Sequence, residues 1–361
     1  SASYQNNSNT PSTSNRVVTI TSLTDSGGTA NGGDNVTSLA IASTVTVAGT
    51  NDEPTLTATG SNPTFTEGGA AASLFSGSSA STIEAGQTIS GFTLTVTNVA
   101  DGSNERLNID GSTLVLTQGT SGTSATNSLS YSVSLSGSTA TITFSGGTMS
   151  TTAFQTLIDA ASYQNNSDSP STSNRVVTIS SVTDSGSNTG TNDNVASLAL
   201  ASTVTIVGVN DEPTLTATGS DPTFTEDGAA ASLFTGSSAS TIEAGQTVSG
   251  FSLTVTNVTD GSNERLNIDG TTVVLTHGTN GSTATNSFNY SVSVIGSTAT
   301  VTFTGGTAST AAFQTLVDSA SYQNNSNTPS TSNRVVTITS LTDSGGTANG
   351  GDNVTSLAIA S

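Results

Sequence analysis

The chain has 361 residues, a net charge of −20 and neither cysteine nor lysine, which excludes disulfides, thiolate metal sites and lysine–asparagine isopeptide crosslinks. Five arginines against 25 carboxylates exclude the basic footprint that nucleic acid or an anionic membrane surface requires. No apolar run reaches the roughly 18 residues of a helical bilayer span, so membrane insertion is not expected.

A fixed period of 159 residues governs the rest: Tyr4, Tyr163 and Tyr322 stand one period apart, and Ser1–Ser43 returns letter for letter as Ser319–Ser361. A unit of this size is a domain with its own core rather than a solenoid coil. The register divides the chain into 1–50, the closing part of a preceding repeat; 51–209, a complete repeat; and 210–361, a second repeat lacking its last strand. Such a register reads as a segment of a longer array; completion of the end repeats by strand addition from another copy is the alternative.

In chain order, strands are expected near Thr55–Thr59 and Thr64–Thr66, and then where Phe92, Leu94 and Val96 alternate with threonines. Further strands are expected near Thr113–Thr117, where Leu129, Tyr131, Val133 and Leu135 alternate with serines, and where Ala140, Ile142 and Phe144 alternate with threonines. Phe154, Leu157 and Ile158 change the spacing to i, i+3, i+4 behind an N-capping Ser or Thr, which predicts a short helix over Ser150–Asp159 and its counterpart Ser309–Asp318. Arg175–Ser181 and Leu198–Val207 complete the set. Period-two strands with one polar face, separated by Gly-, Asn- and Asp-rich turns, predict an all-β chain of tandem Greek-key β-sandwich domains, each with one short helix.

The chemistry-bearing residues are almost all acidic. The single histidine, His277, corresponds to Gln118 one period earlier, so it reads as a turn residue and no catalytic base is expected. Carboxylates without tryptophan, and with only five tyrosines, lack the aromatic platform of a glycosidase; the chain is not expected to be an enzyme. Of the 25 carboxylates only Asp168, Asp221 and Asp227 lack a counterpart one period away. Thr50-Asn51-Asp52-Glu53-Pro54 and Val209-Asn210-Asp211-Glu212-Pro213 stand where one unit passes into the next; they read either as solvated linkers or as oxygen ligands for Ca²⁺. Glu105-Arg106 and Glu264-Arg265 read as local ion pairs, Asp25–Asp34 as a loop, and the Thr-X-Thr pairs as the outer face of a sheet.

Asn-Asp-Glu-Pro after an alternating strand resembles the linker of bacterial cadherin-like and Ig-like tandem repeats, as found in giant RTX-type, type I-secreted surface adhesins. Other positions are similar in order: Glu67 in Phe65-Thr66-Glu67-Gly68, Asp101 in Asp101-Gly102-Ser103-Asn104, Asp159 in Leu157-Ile158-Asp159, and Asp184 in Thr183-Asp184-Ser185-Gly186. Ala160-Ala161 stands where that family has Arg-Glu, and the period is longer than in most cadherin repeats, which implies insertions. The resemblance implies Ig/cadherin-like sandwiches with calcium at the junctions. Glu67, Asp159, Asn210, Asp211, Asp260 and Asp343 would serve the second junction, and Asn51, Asp52, Asp101 and Asp184 the first. It also implies an extender of a long extracellular fibre on a bacterial surface, with neighbouring repeats of the same chain as partners. A carbohydrate- or partner-binding module and a homopolymer built by strand complementation are the alternatives.

Overall fold

The computed structural model describes residues 1–189 and 193–361. Strands hold 47% of the residues, and among the described residues there are two α-helices of nine residues each, so the chain is all-β. It forms two compact units. The first comprises Ser1–Phe65, Gly69–Asn166 and Ser171–Val207; the second takes Thr66–Gly68, Ser167–Pro170 and Gly208–Ser361.

The first unit opens with a hairpin, β1 (Arg16–Thr24) and β2 (Val36–Val45), paired with each other alone among the described strands. Next come β3 (Thr55–Gly60), β4 (Thr64–Thr66), β5 (Ala72–Ser73), β6 (Phe75–Ser81), β7 (Ile89–Val96), β8 (Glu105–Ile109), β9 (Ser112–Val115) and β10 (Ser121–Thr123). The unit closes with β11 (Ser130–Ser136), β12 (Thr139–Ser145), α1 (Thr151–Asp159), β13 (Ser162–Asn165), β14 (Arg175–Asp184) and β15 (Val195–Val207). One sheet has the order β10-β11-β12-β7-β14-β15-β4, a second β5-β13-β8-β9, and β3 pairs with β6. The first two enclose a single core, an arrangement consistent with a β-sandwich.

Alternation decides which side chains reach that core. In register, Phe92 faces Phe144 and Val182, Leu94 faces Ile142 and Ile179, and Val96 faces Ala140 and Val177; all nine are buried. Thr93 and Thr95 point the other way, opposite Thr143 and Thr141, so the Thr-X-Thr pattern is the outer face of the large sheet. The Phe92 and Phe144 rings stack at 4.4 Å, and α1 contributes Phe154 at 5.3 Å. An extra residue, Ser180, bulges β14 and keeps Val182 inward beyond it. Gly60 has no room for a side chain, since a Cβ there would lie 2.1 Å from the Ala201 carbonyl oxygen.

Helix α1 begins one residue after the expected start because Ser150 is its cap: Oγ accepts from the Ala153 N–H at 3.1 Å, while Phe154, Leu157 and Ile158 are buried. Ser150→Ala is expected to lower the stability of the first repeat by about 1 kcal/mol, measured by urea unfolding.

The second unit repeats this plan with strands from Thr214–Gly219 to Val354–Ala360 and the helix Thr310–Asp318 capped by Ser309. Its core again stacks two rings, Phe251 on Phe303 at 4.2 Å. His277 and Gln118 fill one structural role: His277 Nδ1 accepts the Val294 N–H at 3.2 Å, and Gln118 Oε1 accepts that of Leu135 at 2.6 Å.

Candidate cation site

In the second unit the chain leaving Gly208 is held from both sides by acids. Val209 N–H donates to Glu67 Oε2 at 2.8 Å, and Asp211 N–H donates to Glu243 Oε1 at 3.0 Å. Asn210 is locked: its amide nitrogen donates to the Asp352 carbonyl at 2.6 Å and to Asp343 Oδ1 at 3.4 Å, while its Oδ1 accepts from Gln246 Nε2 at 2.5 Å. The first unit repeats the motif. Asn51 donates to the Asp193 carbonyl and to Asp184 Oδ1, accepts from Gln87, and Asp52 N–H reaches Glu84 Oε1 at 3.2 Å. Gly186 belongs to this lock, because a Cβ there would overlap Asn51 Oδ1 at 1.9 Å.

Beyond these contacts there is oxygen to spare. Glu67 Oε1, Glu243 Oε2 and Gln246 Oε1 are buried without a hydrogen-bond partner among the described residues; in the first unit so are Glu84 Oε2, Gln87 Oε1, Asp184 Oδ2 and Asn194 Oδ1. Buried acceptors ordinarily find donors, so a cluster of orphaned oxygens calls for an explanation. Burial pushes the Glu67 carboxyl up, against the Val209 N–H bond, and the charges of Asp211, Glu243 and Asp168 add to the rise. Burial also raises Asp211, with the charges of Glu243, Asp168 and Glu212 acting in the same direction. Burial raises Asp184 and Asp343 as well, opposed by bonds from Gly186 and Asn51 in one and from Gly345 and Asn210 in the other.

The backbone beside Glu84 and Glu243 is strained. Ile83 and Ile242 lie at φ 63° and 62°, left-handed values that a β-branched side chain rarely adopts. The strain recurs in both repeats immediately before the glutamate with the orphaned oxygen.

The structure sorts the expected ligands into two groups. Asn51, Asp52 and Asp184 come together in the first unit, and Glu67, Asn210, Asp211 and Asp343 in the second. Asp101, Asp260 and Asp159 are engaged elsewhere. Asp101 Oδ2 binds Arg175 at 2.8 Å and Asn165 at 2.6 Å, and the Ser171 N–H also donates to it. Asp260 is held the same way by Arg334 at 3.1 Å, Asn324 and Ser330. Asp159, at the end of α1, accepts the Ser78 N–H at 3.1 Å. The expected Glu105–Arg106 and Glu264–Arg265 pairs are corrected too: neighbours on one strand point to opposite faces, so Glu105 turns inward to Arg175 and Glu264 to Arg334.

Sequence reasoning missed Glu84, Gln87, Glu243 and Gln246, and also Asp168. The repeated Ile-Glu-Ala-Gly-Gln at 83–87 and 242–246 was visible but sits in no alternating strand. Asp168 was visible as an acid whose counterparts, Asn9 and Asn327, are neutral.

The donors are carboxylate and amide oxygens, the chemistry that Ca²⁺ prefers. As the side chains lie, no three Asp, Glu, His or Cys among the described residues converge tightly enough to enclose an ion. The fit therefore rests on donor type, orphaned oxygens and mutual repulsion. No protein-family model matches the chain, and no curated protein matches it.

Proposed function

We propose that these are extender repeats of a long extracellular adhesin or fibre on a bacterial surface, built of Ig/cadherin-like Greek-key sandwiches and stiffened by bound calcium. The observation that carries the reading is the group of acids around Val209–Pro213. Glu67 and Glu243 each spend one oxygen on the backbone and keep the other buried without a hydrogen-bond partner among the described residues, with the charges of Asp211 and Asp168 beside Glu67. A hard divalent cation satisfies such oxygens and cancels the repulsion. Glu67, Asp168, Asp211 and Glu243 would hold it in the second unit; Glu84, Asp52 and Asp184 would supply the corresponding oxygens in the first. Asn210 and Asn51, whose amides are already spent on neighbouring acids and carbonyls, position the linker.

The rest of the molecule suits a mechanical role. The outer face of the large sheet carries Ser and Thr hydroxyls in place of charges or aromatic platforms, and the acids that recur outside the site serve turns and internal bonds. Asp110 is one of these: at φ 51° in an Asp-Gly turn, its carboxylate accepts from Ser124 and from the Asn127 N–H and amide. Millimolar extracellular calcium would fill sites of about 10⁻⁴–10⁻³ M affinity.

Small-angle scattering of the whole chain, with calcium and then with excess chelator, tests the reading. The maximum dimension is expected to fall and its distribution to broaden on chelation. Identical curves together with an unchanged melting temperature would remove calcium from the mechanism.

A further inference from the structure

Five arginines carry the chain's permanent side-chain positive charge. Arg175 and Arg334 are committed to Glu105 and Glu264, and Arg16 donates to the Ser12 and Ser14 carbonyls. Arg106 and Arg265 have no such commitment. Neither guanidinium has a hydrogen bond or an ion pair among the described residues, and the Nε of each is buried without an acceptor. Buried donors ordinarily find a partner, and a chain with 25 carboxylates had many to offer.

Their place in the fold explains why none does. β8 pairs with β13 on one side and with β9 on the other. Gln164, Arg106 and Val115 therefore form one row across the sheet, and Ser162, Asn108 and Thr113 the next. These side chains face away from the core, because Leu107, Leu114 and Tyr163 between them are buried. The only acid in the four strands of this sheet is Glu105, which points inward to Arg175. Its outer face holds one cation and no carboxylate.

Amides flank that cation. Asn108 Oδ1 accepts from Thr113 Oγ1 at 2.7 Å, leaving its NH2 group without a partner among the described residues. Gln164, directly across from Arg106, likewise makes no side-chain hydrogen bond among them. The second repeat builds the same rows, Gln323 beside Arg265 and Ser321 beside Asn267, with Thr272 bonded to Asn267 at 2.8 Å. The arginine, asparagine and glutamine are half-buried in both repeats, so they lie against the sheet and lose less freedom on binding.

We propose that this face of each repeat binds an acidic sugar, a single ring bearing one carboxylate. The guanidinium is a planar fork matched to a carboxylate. Strand geometry sets the glutamine about 4.8 Å across the sheet and the asparagine about 6.5 Å along it, on the scale of the hydroxyls of one ring. Their free NH2 groups donate to those hydroxyls. The net charge of −20 selects a small ligand, because a polyanion meets the repulsion of the whole chain. Salt screens charges beyond about 8 Å and leaves a lone carboxylate to the guanidinium beside it. One weak site per repeat, at a fixed period, lets contacts add along the chain. The site needs no bound cation and is independent of the calcium reading.

The test is a titration followed by NMR. Only five arginine Nε–H signals exist, so those of Arg106 and Arg265 are assigned from the variants Arg106→Gln and Arg265→Gln. The whole chain is titrated in chelator with glucuronate and with N-acetylneuraminate; glucose, acetate and poly-glutamate serve as comparisons. The Arg106 and Arg265 signals are expected to shift and saturate at millimolar concentrations of either sugar acid, while those of Arg175 and Arg334 stay in place. Acetate should need about tenfold more, and glucose should move nothing. Gln164→Ala/Gln323→Ala should keep the wild-type melting temperature yet lower the affinity about three- to tenfold, the contribution of one hydrogen bond. Equal responses to acetate and to the sugar acids would reduce the site to a counterion contact and overturn the proposal. So would unmoved signals, an affinity unchanged in Gln164→Ala/Gln323→Ala, or a stronger response to poly-glutamate, which would mark an acidic protein as the partner.

Discussion

Arg175→Met is expected to cost the first repeat about 3–5 kcal/mol, the range for removing one partner of a buried ion pair. Arg175 and Glu105 side chains are both fully buried. Two guanidinium nitrogens reach Glu105 at 3.0 and 2.8 Å, and Nη2 also reaches Asp101 at 2.8 Å. Tyr163 O–H and the Ala100 and Asp101 N–H groups complete the glutamate's set. Methionine keeps the volume and withdraws the charge, leaving Glu105 ionised in a dry core. Urea unfolding should show the loss as a lower midpoint for the first repeat with an unchanged slope. Arg334→Met should cost less, because the Arg334 side chain is 8% exposed and water can partly replace it. Equal losses in the two repeats would mean that burial does not set the cost.

The same network dictates a pH signature. Burial alone would raise Glu105, but Arg175 and the two N–H groups outweigh it and hold the carboxyl below its ordinary 4.5. A depressed folded-state pKa means that the contribution is present above the unfolded value and is lost as pH falls through the folded one. In Arg175→Met burial prevails and the shift reverses, so protonation now favours the folded state. The wild-type advantage should therefore be greatest near neutrality and shrink below the ordinary carboxylate range. An advantage that stays constant through that range would show that Glu105 is not the group left unpaired.

How much of this was legible depended on alternation. Phe92, Leu94 and Val96, or Ala140, Ile142 and Phe144, announce both strand and face, because a buried face against a polar one leaves a period of two. Phe75–Ser81 and Ser121–Thr123 are also strands, but their glycines and serines carry no apolar stripe, so they read as loop. The strand Glu105–Ile109 hides its inward acid, since charge at a core position contradicts the pattern until Arg175, seventy residues later, supplies the partner. The acids obeyed a similar logic. Periodicity marked the acids that recur, yet could not separate Asp101, committed to an arginine, from Asp211, which faces other acids, nor keep Asp159, bound to Ser78 in the first unit, out of the second group. That distinction depends on which strands are neighbours, and no local spacing encodes it. The Ile83 backbone strain is invisible in sequence for the same reason.

Calcium is expected to raise the melting temperature of the second unit, and Glu67→Gln/Glu243→Gln should abolish the rise. At about 10 mM calcium, affinities of about 10⁻⁴–10⁻³ M give about 1.4–2.7 kcal/mol, or about 3–10 °C for a unit of this size. Magnesium should do much less, because it holds its water and demands tighter geometry. In chelator the sign of the substitution is opposite: the variant should be the more stable protein, since it deletes the Glu67 charge that burial disfavours and the Glu243 charge that repels it. Stability should also depend on pH with a definite sign. Glu67, Asp211 and Asp343 have folded pKa values raised above their ordinary ones, so their contribution is fully present below the unfolded value and is lost as pH rises through the folded value. Without calcium, these groups make acidification through the window just above the ordinary carboxylate range stabilising. With calcium the slope reverses, because the ligands must be deprotonated to bind. Differential scanning calorimetry across that window, with and without the ion, separates the two regimes. Matching slopes in calcium and chelator would show that the orphaned oxygens of Glu67 and Glu243 answer to something other than a cation.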